Sequence, residues 1–267
     1  MFNSQQMVHS HGSWISDFIV LLPFIFALVI YLHAVVKSSL SGKNWPIYRV
    51  FMWLMGVFCS LFAVTGPIAI YAHHDFTAHM LGHLLLGMLA PLLMVLAAPM
   101  TLILRTVNVR LARRFTLILR SNFFRFASSP MIASILNIGS LWLLYSSTLY
   151  REMQNNASLH VLVHIHIFLA GYLFTSSMIY MDPTPHRTSF LYRAIVCATA
   201  LSGHGILAKY VYAHPPAGVP EEQAKTAGML MYYGGDVVEL VLIIIFCYQW
   251  YKSARPVRAE DPSYGGQ

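Results

Sequence analysis

The chain has 267 residues, of which 57% are hydrophobic and 10% charged, with a formal net charge of +7 and a mean hydropathy of +0.59. Soluble domains average roughly 25% charged residues, so this balance excludes a soluble globular domain. The chain's solvent is mostly lipid, and it reads as one membrane bundle rather than a string of domains.

Seven apolar runs follow one another, at residues 15–36, 48–71, 76–104, 131–150, 159–180, 190–212 and 227–251. Each is roughly 20 residues or longer, which is what a helix needs to cross about 30 Å of hydrocarbon. The expected fold is therefore an all-α bundle of about seven transmembrane helices. The third run carries Pro91 and Pro99, expected as kinks whose freed carbonyls find partners on neighbouring helices. Residues 1–14 contain no Lys or Arg, and the first run exceeds a signal-peptide core, so it is expected to be retained. The chain divides into an N-terminal arm (1–14), a transmembrane domain (15–251) and a polar tail (252–267) expected to be disordered. No lipidation motif and no soluble catalytic domain are evident.

Orientation follows from the basic residues. One alternate set of connections holds Lys37, Lys43, Arg49, six arginines from Arg105 to Arg125, Arg187, Arg193, Lys252, Arg255 and Arg258. The other holds only Arg151, Lys209 and Lys225, which is three against fourteen. The N-terminus is expected outside and the C-terminus in the cytoplasm. This asymmetry accounts for the net charge and argues against nucleic-acid binding. The stretch from Arg105 to Arg125 mixes Arg with Leu, Phe and Ile, the pattern of an amphipathic segment lying on an anionic leaflet.

Thirteen histidines are distributed unevenly. His79 and His83 open the third run and His160 and His164 open the fifth, each pair at i and i+4 and so on one helix face. His204, on the sixth run, reaches a similar depth, on the order of 10 Å below the outer surface. Asp236 and Glu239 follow on the seventh, slightly deeper. Ionisable groups in lipid are costly and normally face the bundle interior. Gly87, Gly171, Gly203, Gly205, Gly234 and Gly235 flank them, and small residues let helices approach closely. Neutral imidazole is a common ligand for Zn, Cu, Fe and Ni. The two pairs supply four such nitrogens. Met80, Met229 and Met231 add thioethers that favour Cu(I), and Asp236 and Glu239 are candidates to orient the imidazoles. His73 and His74 lie beside the cluster in the preceding loop.

A lone buried histidine is more often a hydrogen-bonded structural residue, and His33, His166 and His186 are read that way. His9, His11 and His214 fit surface solvation as well as function. Most of the methionines serve packing. Asp236 and Glu239 also fit a proton path or a structural counter-charge. Cys59, Cys197 and Cys247 are isolated in apolar spans with no CxxC. This disfavours thiol-based copper carriage, structural zinc and disulfides.

The stretch Ala78-His79-Met80-Leu81-Gly82-His83-Leu84-Leu85-Leu86-Gly87-Met88-Leu89-Ala90-Pro91-Leu92-Leu93, ending in Ala98-Pro99, resembles the signature of the CtaG family of cytochrome c oxidase assembly factors typified in Bacillus. Two further stretches fit. One is His160-Val161-Leu162-Val163-His164 followed by Gly171. The other runs from Gln223 through Ala227-Gly228-Met229-Leu230-Met231 to Gly234-Gly235-Asp236. The resemblance spans nearly the whole chain. It implies a multi-pass protein of the bacterial plasma membrane, not an enzyme, that handles copper for the membrane-embedded copper centre of a haem–copper oxidase, with the oxidase subunits as partners. It carries copper first to His79, His83, His160 and His164, then to His204 and Asp236. The chain does not resemble the unrelated single-span copper chaperone that uses cysteines. His9 and His11 belong to no motif of the family.

Two other functions fit the residues. A b-type cytochrome would use His83 and His164 as axial ligands to haem. A metal or proton transporter would use His204, Asp236 and Glu239 as a relay, although no internal repeat of the transporter kind is visible. Homodimerisation is left open.

Overall fold

A computed structural model gives the protein as an all-helical bundle. It describes residues 4–72 and 74–254, with side chains from Leu21 onward except Pro67. Among these residues there are twelve helices and no strands. They are α1 (Ser4–Leu40), α2 (Ile47–Val64), α3 (Gly66–Ala72), α4 (Phe76–Leu96), α5 (Pro99–Thr106), α6 (Val109–Leu119), α7 (Asn122–Ala127), α8 (Pro130–Ser146), α9 (Leu149–Asn155), α10 (Ala157–Met178), α11 (Phe190–Ala213) and α12 (Glu221–Ala254). Six are long and apolar enough to cross a membrane, and the bent pair α8–α9, folded through 80°, makes up to seven. This is a multi-pass membrane protein. Helix α1 begins at Ser4, so the helix runs into the expected N-terminal arm. The expected disorder of the tail falls outside the described residues beyond Ala254.

The bundle is organised around α4, 61% of whose span is buried. It packs against α2, α10 and α12, while α11 pairs with α12 and α1 closes against α2, α5 and α10. The apolar runs leave many large side chains exposed, among them Phe26, Phe58, Leu143, Ile195 and Ile244. Lipid is the solvent that accounts for such faces.

The third span ends earlier than its apolar run. Helix α4 stops at Leu96, and Ala98 turns into the left-handed region (φ 50°, ψ 57°) before Pro99 opens α5. Proline disfavours a right-handed helical residue before it, and Ala98 takes the rarer exit. Three contacts satisfy the broken backbone. The Tyr31 hydroxyl donates to the Ala97 carbonyl at 3.1 Å, and Trp45 Nε1 donates to that hydroxyl at 3.0 Å. The carboxylate of Asp182 accepts from the N–H groups of Met100 (3.2 Å) and Thr101 (2.7 Å) and from the Thr101 hydroxyl (2.6 Å). Buried backbone groups left unpaired would each cost about 1–3 kcal/mol. The break is therefore held, not frayed. Pro91 lies just after a π-turn (Leu85–Leu89) within α4. A second π-turn (Ile135–Gly139) lies in α8.

Candidate functional site

The first turn of α4 is fixed from two sides. Asp75 caps it, its Oδ1 accepting from the Ala78 N–H at 2.8 Å, as N-cap carboxylates do. Gln223 of α12 accepts from the Phe76 N–H at 2.9 Å. This orientation turns the i, i+4 pair His79 and His83 into the bundle, each 4% exposed. His79 Nε2 lies 3.3 Å from the Tyr145 hydroxyl. Its ring sits among Phe76, Tyr150 and His164, at centroid distances of 5.9, 5.1 and 6.3 Å. His83 lies one turn deeper, against Tyr145, and neither of its ring nitrogens has a hydrogen-bond partner.

The second pair, on α10, is half-buried. The His160 and His164 rings are 4.2 Å apart. His164 Nδ1 lies 2.9 Å from the His160 carbonyl. A carbonyl can only accept, so Nδ1 carries the proton and the lone pair falls on Nε2.

His204 of α11 is 1% exposed. Its Nδ1 meets Glu239 Oε1 of α12 at 2.9 Å, and its buried Nε2 has no partner. A carboxylate on one imidazole nitrogen fixes the ring's tautomer and orientation, the arrangement that supports metal-bound histidines. Glycines let the helices approach closely around the layer. A Cβ on Gly235 would strike the His204 ring, and one on Gly171 would overlap the Gly87 carbonyl. Beneath Glu239 a space of about 30 Å³, the size of one water, is lined by Asn137 and Thr175 as well as by Gly87 and Met88.

The remaining candidates divide. Met80 and Met231 are fully buried in the apolar cluster with Phe76, Tyr145 and Tyr150, whereas Met229 is 46% exposed. Asp236 is exposed while Glu239 faces in. Three residues are offset by about 60° around the helix, and the edge of the buried face falls between the two, so the expected pair is split between the rim and the interior. His74 is exposed and lines a polar cavity of about 390 Å³ with Arg151, Gln154 and Gln223, floored by Phe76 and Tyr150. His73 and the side chains of His9 and His11 lie outside the described residues. His166 Nε2 meets the Leu136 carbonyl at 3.2 Å, the structural contact expected of it. His214 is exposed and stacks on Tyr210. Sequence reasoning missed Tyr145 and Tyr150, which contact His79 from the bent pair α8–α9. Nothing in their spacing on an aromatic-rich chain marks them.

Among the described residues, no three of the His, Cys, Asp and Glu side chains already stand at distances that would hold one metal ion. The donor chemistry fits a soft or borderline cation nonetheless, because His83 and His204 are buried imidazoles with bare nitrogens. Buried unpaired nitrogens of this kind call for a partner, whether protein, water or ion.

Similar proteins were found in three mycobacteria, all uncharacterized. The relative from Mycobacterium leprae is 29% identical over 170 residues, covering 61% of this chain and 26% of that protein. Those from Mycobacterium bovis and Mycobacterium tuberculosis are 28% identical over 156 residues, covering 56% of this chain and 24% of each. The chain thus spans about a quarter of the length of the curated relatives it matches. No solved structure matches. The model of one family matches residues 29–253, which takes in every helix of the histidine layer, and the chain belongs to that family, the cytochrome c oxidase caa3 assembly factors (Caa3_CtaG).

Proposed function

We propose that this protein is a non-catalytic assembly factor of the bacterial plasma membrane that receives copper at the layer formed by His79, His83, His160, His164 and His204 and passes it to the copper-centre subunit of a haem–copper oxidase. The observation that carries this reading is His83, buried with both ring nitrogens bare and close to His79, Tyr145 and His204. Copper is the cargo here, not a resident cofactor. Cu(I) suits imidazole nitrogen and, if Met80 or Met231 turns toward the layer, thioether sulfur.

The polar cavity above Phe76 and Tyr150 gives the cargo a way in. It opens at the arginine-poor end of the bundle, the end the charge distribution assigns to the outside, and its aromatic floor touches His79. His74 is the first imidazole on that route. Glu239 holds His204 ready with Nε2 bare. The His160 and His164 rings approach to 4.2 Å and those of His79 and His164 to 6.3 Å, and binding one ion between them would require the side chains to turn toward it.

The test is oxidase maturation. Cells lacking this chain should make oxidase deficient in copper, and wild-type chain should restore it. The His79→Ala His83→Ala chain, present at equal level in the membrane, should not. Full restoration by that double variant would refute copper handling by the layer.

A further inference from the structure

Asp236 lies near the middle of the 34-residue α12 and is exposed. Its neighbours Tyr233, Val237 and Leu240 are 67%, 66% and 57% exposed, the faces of a helix turned to lipid. Among the described residues the carboxyl of Asp236 joins neither ion pair and no hydrogen bond. Ionisable residues at that depth almost always face the bundle interior or a partner. Asp236 faces neither within this chain.

The surroundings are a seam, not open lipid. Helices α11 and α12 pack along Gly235 against His204 and along Gly205 beside Tyr232. Tyr232 is one turn before Asp236 on nearly the same face. The nearest cation along this seam, Lys209, lies over the Tyr232 ring at 5.0 Å and makes no ion pair with Asp236. Ser202 is exposed on α11 one turn deeper than Ile206. The seam thus presents a carboxyl, a hydroxyl and a small residue at mid-depth, between exposed apolar side chains.

A second copy of this chain does not complete it. A two-fold axis along the membrane normal would bring Asp236 against Asp236, two like groups. The complement is a cation.

We propose that the α11–α12 seam around Asp236 is an intramembrane docking face for a transmembrane helix that carries an arginine, lysine or histidine at mid-depth, and that this helix belongs to the oxidase subunit receiving the cargo. The identity of the client rests on the assembly-factor reading, whereas the need for a cationic helix rests on Asp236 alone. Docking there sets the client helix beside His204, whose ring is behind Gly235 on the same helix pair, so the face that binds the client is one helix layer from the cargo.

The experiment uses the full chain in membranes that also hold the tagged copper-centre subunit. A photo-crosslinking amino acid, benzoylphenylalanine, replaces Val237 or, as a control, Phe26 on the lipid face of α1. Crosslinks to the subunit are expected from position 237 and not from 26. They should fall by about tenfold or more with Asp236→Leu, because a buried cation loses its partner, and persist with Asp236→Glu. Leucine at a lipid-facing position keeps the fold. Copper uptake by the same membranes is measured in parallel. Unchanged crosslinking in Asp236→Leu, absence of crosslinks to the subunit, or crosslinks only between two copies of this chain would overturn the proposal. Any of these with normal copper uptake refutes the docking face alone. Failure of the wild-type chain to take up copper refutes the assembly-factor reading instead.

Discussion

His204 and Glu239 meet at 2.9 Å across the α11–α12 interface, and the pair leaves His204 Nε2 buried and without a partner. A carboxylate in this position fixes the tautomer and presents one lone pair to whatever occupies the layer. Replacing Glu239 with Leu is expected to lower Cu(I) affinity about 10–100-fold, the usual cost of losing an orienting carboxylate. Competition with a Cu(I) chelator of known affinity measures it. Unaltered affinity would make the pair purely structural.

His83→Leu separates function from packing. Both ring nitrogens of His83 are bare, so an apolar side chain of similar size removes unsatisfied groups instead of bonds. The expected result is a thermal midpoint equal to or above that of the wild type, together with reduced copper uptake. A structural histidine would show the opposite, with stability lost and copper uptake kept.

Gly171→Ala should be far more damaging than Gly139→Ala. The added Cβ at Gly171 overlaps the Gly87 carbonyl, which is backbone and cannot turn aside, whereas at Gly139 the nearest atom is Ile135 Cγ2 at 3.7 Å. Overpacking of the first kind costs about 1–3 kcal/mol or more, against little for the second. Thermal unfolding in detergent resolves the two.

Asp182→Ala removes the cap of α5 and leaves the N–H groups of Met100 and Thr101 unpaired beside the left-handed Ala98. A loss of about 1–2 kcal/mol is expected, with faster amide exchange at residues 99–102. Exchange unchanged there would show that Pro99 and Ala98 hold the break unaided.

The arginine-bearing helices α6 and α7 have no buried residues, and residues 99–130 contain six arginines and no acid. Leu111, Phe115 and Ile118 form an exposed apolar strip on α6, flanked by Arg110 and Arg114 with Arg113 on the far face. In nanodiscs, amides 109–126 are expected to exchange more slowly with phosphatidylglycerol than with phosphatidylcholine alone. Arg110→Gln Arg113→Gln Arg114→Gln should abolish the difference, since each basic residue contributes about 1 kcal/mol at an anionic surface.

The spans were legible because lipid imposes a length on every apolar run, and six or seven of them satisfy it. The inward turn of His79, His83 and His204 was legible too, since i, i+4 spacing and cost in lipid leave those rings little choice. The proline at position 99 marked a kink, but the left-handed turn of Ala98 that ends the helix there was not legible, because run length reports hydropathy and not backbone conformation. The contacts that hold it open, from Tyr31 and Asp182, lie 66 and 81–82 residues away in sequence. Asp236 and Met229 were expected at the layer because helical spacing fixes relative angle but not which side meets the neighbour. The approach of α11 to Gly235 decides that, and it turns Glu239 in and Asp236 out.

The central claim is that the layer around His83 takes copper. The most direct measurement is the metal content and visible spectrum of detergent-purified full chain after Cu(I) loading, wild type beside His83→Leu. The account predicts one or two coppers per chain, no Soret band, and loss of tightly held copper in the variant. Copper content unaffected by His83→Leu, or a Soret band that the variant abolishes, would contradict it.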